Sequence, residues 1–475
     1  MDPVTPVPSS LTTDLAAVVG ADHVLTDAAD VAPYATDWRG AYAGTPLAVV
    51  RPGSTDEVSA VVRLAHEAGV AIVPQGGNTG MCGGATPSGD GSQVVLSLGR
   101  MRKIRDVDPV SSTMTVDAGV VLAEVQQAAA SVDRLFPLSL AAEGSCTVGG
   151  NIATNAGGTA VLRYGMMRSL VLGLEVVLPD GRVWDGLRSL RKDNTGYDLT
   201  QLFIGAEGTL GIVTGAVLTL HPATPARATS WVALPSVAAA ASLLPLLRDH
   251  AAERLTTWEL VSRPALDLVV SQGVPDPLAC DAPWFGLIEL AGPAGATVGD
   301  DLESALGAAV EAGLVLDAAI AGSPAQRDGL WALRERISEA QESLGPTIKH
   351  DVSVPITSLD DLVSRLAPAL EQALPGIRPI VYGHVGDGNL HYNLSRPESL
   401  EPDAFWARAA ELSAIVHDCT VELDGSISAE HGLGSSKAAA ASAYKSEVEV
   451  SLMRSVKDAL DPRGLMNPGK VLPLG

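Results

Sequence analysis

The sequence predicts an α+β protein of two domains, and three observations lead there. The chain has 475 residues, 46% hydrophobic and 18% charged. That is enough for a large core and for two or three domains of about 150 residues each. The first half alternates short apolar strands with an amphipathic helix and then gives hairpin signals. After His221-Pro222 the composition shifts to Ala-rich helical stretches between short strands, which places a boundary near residue 225.

The elements follow in order. Residues 46–52 (PLAVVRP) read as a strand. Ser54 opens S-T-D-E, a capping box with Glu57 three residues on, and the helix it starts ends at Gly69. Residues 71–74 return as a strand and run into a glycine-rich loop. Strands at 94–98 and 113–119 precede a helix at 121–132, and a second glycine-rich segment spans 136–158. Residues 170–186 read as a hairpin with Pro179, Asp180 and Gly181 at its turn. Residues 211–220 form one more strand. Beyond the boundary, helices are expected at about 236–251, 299–313 and 325–344, with WFGLIEL and GLVLDAAI as strands. A helix from about 440 leads to DPRGLMNPGKVLP. The expected layout is a first domain over 1–225, a second over 226–435, and a segment over 436–475 that returns to the first.

Charge and cysteines narrow the function. With 32 Lys+Arg against 55 Asp+Glu the net charge is −23, which argues against nucleic acid and against anionic lipid as partners. The most apolar stretch, 231–247, is short and interrupted by Pro235 and Pro245, so no membrane span is expected. The opening MDPVTPVPSS has neither a secretory nor an Arg-rich leader pattern, which points to the cytoplasm. Cys82, Cys146, Cys280 and Cys419 form no C-x-x-C pair, so they are expected to be reduced thiols.

Two glycine loops carry the first chemistry. PQGGNTGMCGG (74–84) follows a βαβ unit, and AEGSCTVGGNIATNAGG (142–158) has Ser145 or Thr147 able to cap a short helix. Such loops either converge backbone N–H groups on a phosphate or simply make tight turns. No G-x-G-x-x-G, no G-x-x-x-x-G-K-[ST] and no G-x-S-x-G occurs, which disfavours a Rossmann site, a P-loop and an α/β-hydrolase.

A third constellation is GHVGDGNLH (383–391). A two-residue turn at Asp387-Gly388 would set His384 directly opposite His391, with Asn393 on the same face. Two such imidazoles either share a metal or sit solvated on a surface hairpin. SAEHG (428–432) supplies Glu430 and His431 as further donors. In LWALRERISEA (330–340), read as one helix, Arg334 and Ser338 share a face. IKHDVSVP (348–355), read as one strand, carries Lys349. Each cation is either a solvated pair or part of an anion clamp.

These motifs carry a resemblance. The glycine loops resemble those of the FAD-linked oxidases, the vanillyl-alcohol-oxidase superfamily. RSLRKDNTGYDLTQLFIGAEGTLGI (188–212), with the segments around Arg334, Lys349, His384 and Glu430, closely resembles the D-2-hydroxyglutarate dehydrogenase family, and the resemblance runs over roughly residues 30–475. It implies a two-subdomain FAD-binding domain and a substrate (cap) domain with an antiparallel sheet flanked by helices. Gln75, Gly76, Gly77, Asn78, Thr79, Gly80 and Met81 are implied to cradle the pyrophosphate. Pro137, Ser145, Gly150, Asn151, Thr154, Asn155, Gly157 and Gly158 are implied to line the flavin. Glu207, Gly211, Ile212 and Val213 complete the adenine and ribose side, and Asn467 and Lys470 belong to a tail folding back near it. The first loop lacks the His that some relatives use for covalent attachment, so FAD is expected to be non-covalent.

The resemblance also implies His384, His391 and Glu430 as ligands of zinc or another divalent metal, and His431 as catalytic base. Arg334, Ser338, Lys349 and Asn393 are implied to bind substrate. The family pattern has Thr where Ser338 stands, and Ser keeps the hydroxyl. The expected reaction is metal-assisted oxidation of D-2-hydroxyglutarate to 2-oxoglutarate, with hydride passing from C2 to flavin N5. Electrons then go to an electron-transfer flavoprotein or quinone-linked carrier. D-lactate and glycolate are the near alternatives, and a homodimer is left open. A flavin-dependent transferase and a flavin-free zinc hydrolase are the readings from other classes.

Overall fold

The computed structural model describes residues 10–278 and 280–474. Residues 1–9, on which the leader reading falls, lie outside the described residues. The chain divides into two units. One holds the chain up to Gly158, then Gly165–Pro222 and Glu430–Gly475; the other holds Thr159–Tyr164 and Ala223–Ala429. The excursion at Thr159–Tyr164 has no signal in composition. It stays in the second unit because Arg163 Nη1 donates to Ala291 O at 2.6 Å and Thr257 Oγ1 to Thr159 O at 2.9 Å.

Among the described residues the first unit contains, besides the short pair Arg134–Leu135 and His221–Pro222, two larger sheets. In the smaller, Ala48–Val50, Gln93–Ser97 and Ala71–Gln75 run parallel, with Val24–Leu25 antiparallel at one edge. The helix Thr55–Ala68 supplies the crossover. The Ser54 hydroxyl accepts from Glu57 N at 3.2 Å, and Gly69 closes the helix in the left-handed region at φ 68°. The buried strands read as Val-rich runs because both faces of a parallel sheet are covered. The larger sheet is antiparallel, in the order Ile104–Asp108, Thr113–Asp117, Ile212–Thr219, Val171–Val177, Val183–Gly186. The expected hairpin is its last pair, with Val177 opposite Val183.

The tail returns to this unit. Ile72 N donates to Leu465 O at 2.9 Å and Asn467 N to Ile72 O at 2.8 Å, so the tail runs parallel beside Ala71–Gln75.

The second unit is an antiparallel sheet in the order Asp317–Ile320, Ala226–Leu234, Trp284–Gly292, Leu255–Ser262, Arg378–His384, Asn389–Ser395, Thr347–Ile348, with Asp351–Ser353 also paired to Asn389–Ser395. Helices cover both faces. Val237–Ala251, Val298–Glu311, Leu359–Ala373 and Ala409–Glu422 pack with Trp258, Leu260, Val381 and Tyr392 on one face. Arg263–Ser271 and Pro324–Glu335 pack with Val261, Ile380 and Tyr382 on the other. Alternate residues of each strand therefore serve two separate cores.

Three local expectations are corrected. The hairpin turn is not two residues long: Val385–Asp387 makes a turn of 3-10 helix and Gly388 follows at φ 75°. His384 therefore pairs with Asn389, and His391 with Tyr382. The helix read over 330–340 breaks at Arg336 into Pro324–Glu335 and Ile337–Ala340. The strand read over 348–355 is interrupted at Lys349 and His350 between Thr347–Ile348 and Asp351–Ser353, where the His350 ring bonds to Tyr392 O at 2.9 Å and Ser413 Oγ at 3.0 Å. The four cysteines form no disulfide.

Candidate functional site

In the first unit the loop after Ala71–Gln75 approaches the segment 145–150 closely. A Cβ on Gly76 would lie 2.3 Å from Thr147 Oγ1, and one on Gly77 would lie 2.1 Å from Ser145 O, so both positions require glycine. Gln75 is buried and its amide donates to Tyr34 O and Ala85 O, each at 2.9 Å. Asn78 takes a positive φ of 52° and donates to Thr36 O at 2.8 Å. Thr79 and Met81 are half-buried and Gly80 is exposed. Thr147 Oγ1 is buried with no hydrogen-bond partner.

The second loop begins beyond buried Pro137, and Ser145 Oγ donates to Ala142 O at 3.3 Å. Gly150 and Asn151 lie in the helix Val148–Ala153, and Thr154 Oγ1 returns to Gly150 O at 3.0 Å. Asn155, at φ 49°, accepts from Arg168 N at 2.9 Å. Gly157 and Gly158 are buried.

Glu207 ties the remaining pieces of this unit together. It sits at φ 50° and accepts from Leu433 N at 2.7 Å and Gly434 N at 2.8 Å. Burial pushes its pKa up, against those two N–H groups and the nearby Lys470 and Lys437. Asn467 Nδ2 donates to Glu207 O at 2.7 Å and to Gly84 O at 2.9 Å, while its Oδ1 is buried without a partner. Lys470 Nζ reaches Thr86 O at 3.1 Å, and burial lowers its pKa against the attraction of Glu207. Gly211 leads into Ile212 and Val213, which are buried opposite Val177 and Val176. Glu430 opens the segment that reaches Glu207, and its Oε1 accepts from Gly158 N at 3.3 Å. His431 follows, half-buried.

A loop closed to side chains at Gly76 and Gly77, beside an orphaned hydroxyl, and an orphaned amide oxygen on the returning tail fit a polar nucleotide better than a set of turns. The donor types suit FAD.

In the second unit the candidate residues share one face of the sheet. Glu259 pairs with His384 and His384 with Asn389; Tyr382 pairs with His391 and His391 with Asp351. His384 and His391 are thus diagonal neighbours on one face. Their ring centroids are 5.8 Å apart, and a ring nitrogen of each lies within 4.8 Å of the other. Two imidazole nitrogens at that spacing fit a shared divalent cation of zinc type. Asp351 Oδ1 is 3.8 Å from His391 Nδ1 and accepts from Asn389 Nδ2 at 2.9 Å.

Arg334 is buried, with its Cζ 4.8 Å from the Tyr382 ring centroid. Tyr382 Oη meets Ser338 Oγ at 2.9 Å. The helix break at Arg336 therefore still leaves Arg334 and Ser338 converging on one tyrosine. Asn393 Nδ2 donates to Gln341 Oε1 at 3.0 Å. Lys349 is half-buried at the strand break.

Sequence reasoning missed Glu259. It is 1% exposed, with Oε1 2.6 Å from His384 Nδ1 and Oε2 accepting from Arg334 Nε at 2.7 Å. Burial raises its pKa, and His384 and Arg334 outweigh that and hold it below the usual carboxylate range. Tyr382 was missed as well. The only signal for either is a polar residue at an inward position of an apolar strand.

Residues 46–186 match the family described as FAD binding domain, and residues 223–471 that of FAD linked oxidases, C-terminal domain. The chain is 40% identical to a mitochondrial D-2-hydroxyglutarate dehydrogenase of Bos taurus, over 99% of this chain and 86% of that one. It is 39% identical to the D-2-hydroxyglutarate dehydrogenase of Xanthomonas citri pv. viticola, over 95% of each. Among solved structures, p-cresol methylhydroxylase with substrate bound superposes with a TM-score of 0.77 at 18% identity, over 99% of this chain and 98% of that one. That likeness shows the fold alone.

Proposed function

The chain belongs to the FAD-linked oxidases, within them to the D-2-hydroxyglutarate dehydrogenase family, and from that premise we propose that it oxidises D-2-hydroxyglutarate to 2-oxoglutarate with metal assistance. Membership makes it an FAD-dependent hydroxy-acid dehydrogenase. The observation that carries the substrate reading is the convergence of His384, His391 and buried Arg334 around Tyr382 on one sheet face.

When bound, non-covalent FAD supplies the acceptor for the C2 hydride at N5, and a divalent cation such as zinc supplies Lewis-acid polarisation of the substrate hydroxyl. The chain's own residues do the rest. His384, His391 and Glu430 hold the cation. Arg334 and Lys349 bind the two carboxylates of a dicarboxylic acid, and a clamp of two cations favours it over D-lactate or glycolate. Ser338 and Asn393 add neutral hydrogen bonds. His431 takes the hydroxyl proton. The residues of the two glycine loops, with Glu207, Gly211, Ile212, Val213, Asn467 and Lys470, hold the cofactor.

Electrons leave to a flavoprotein or quinone-linked carrier, and a cytoplasmic location belongs to this reading. Among the described residues no helix is long and apolar enough to cross a membrane.

Replacing His384 or His391 by Ala is expected to lower zinc content and turnover while flavin stays bound. Flavin loss with zinc retained contradicts the assignment of these residues. His431→Ala is expected to slow flavin reduction with zinc kept, and an unchanged rate removes it as base.

A further inference from the structure

Glu259 occupies a central strand of the second unit, where its neighbours Trp258 and Leu260 turn to one core and Val261 to the other. A leucine would be the cheap residue there, because a buried carboxylate is tolerated only when it is paired and hydrogen-bonded. Each of its oxygens is committed to a different partner: Oε1 to His384 Nδ1 at 2.6 Å, Oε2 to Arg334 Nε at 2.7 Å.

We infer that Glu259 is a positioning residue, one carboxylate that sets the metal-facing nitrogen of His384 and the substrate-facing fork of Arg334 together. The inference rests on the proposed roles of those two residues.

The chemistry runs through both bonds. A carboxylate accepts, so His384 must donate from Nδ1, and only Nε2 keeps a lone pair for a cation. Arg334 spends Nε on Glu259, which leaves both terminal amino groups for a carboxylate in bidentate form. The face of Tyr382, 4.8 Å from Cζ, holds the guanidinium plane. Because both contacts end on one rigid carboxylate, the cation ligand and the substrate clamp keep a fixed spacing.

The test is Glu259→Gln. An amide carries an acceptor at only one of the two positions and no charge, so it cannot meet His384 and Arg334 as Oε1 and Oε2 do. Titration of the metal-free, FAD-loaded variant with zinc is expected to show about 10- to 100-fold weaker binding. KM for D-2-hydroxyglutarate is expected to rise in parallel, with FAD content unchanged. Wild-type zinc affinity in the FAD-loaded variant overturns the inference.

If the variant does not fold, the wild-type protein decides by nitrogen NMR of its histidines. The His384 signals are identified by their loss in His384→Ala. Zinc on Nε2 with a proton on Nδ1 supports the inference, and zinc on Nδ1 overturns it. Wild-type protein with no zinc site sensitive to His384→Ala overturns the metal assignment and this inference together. A normal wild-type site with an unaffected Glu259→Gln overturns this inference alone.

Discussion

Gly77 and Gly80 stand three residues apart in one loop and face opposite constraints. A Cβ on Gly77 would strike Ser145 O at 2.1 Å, whereas one on Gly80 would meet nothing within 4 Å. Gly77→Ala is therefore expected to destabilise the first unit by about 1–3 kcal/mol and to lose FAD. Gly80→Ala is expected to leave the thermal midpoint near wild type. Equal behaviour of the two variants would contradict the close packing.

Glu175 makes a different demand. Its Oε1 accepts from Thr55 Oγ1 at 2.6 Å, Arg105 Nη2 at 2.8 Å and Thr214 Oγ1 at 2.9 Å. Burial opposes its charge, but Arg105 and the two hydroxyls hold its pKa below the ordinary 4.5. A depressed carboxylate stabilises the fold above its unfolded pKa and loses that contribution as pH falls through the folded value. Glu175→Gln is expected to cost about 1–3 kcal/mol at neutral pH, and denaturant titrations should show the gap to wild type closing below pH 4.5. At this scale the sequence was readable where residues act in short motifs, as in the glycine loops and G-H-V-G-D-G-N-L-H. It was opaque for Glu259, whose partner His384 is 125 residues away.

Among the elements, the helix Thr55–Ala68 was fully legible, because its cap and its left-handed end are set within a few residues. Ser54→Ala removes the acceptor for Glu57 N and is expected to cost about 1 kcal/mol, read as a lowered thermal midpoint. The hairpin was legible in kind but not in register. Asp387-Gly388 looks like a two-residue turn, yet Val385 and Gly386 join it, and the pairing slips so that His391 meets Tyr382 rather than His384. The two histidines keep a common face because the slip moves His391 by two residues, the period of a strand. The break at Arg336 was not legible, since no Gly or Pro marks it.

At the scale of the whole molecule, the α+β class and the change near residue 225 follow from composition and periodicity. The detour of Thr159–Tyr164 into the second unit does not, because it depends on contacts far along the chain. The family, in contrast, was written in long uninterrupted motifs, and the chain is 39–40% identical to the two dehydrogenases. What motifs do not settle is which hydroxy acid fits, since that depends on whether Arg334 and Lys349 both meet carboxylates. Anaerobic bleaching of the bound flavin's visible absorption by D-2-hydroxyglutarate, L-2-hydroxyglutarate, D-lactate and glycolate answers this. Fastest bleaching with D-2-hydroxyglutarate is the expected result. Bleaching mainly by D-lactate or glycolate, or a purified protein with no flavin band, would contradict it.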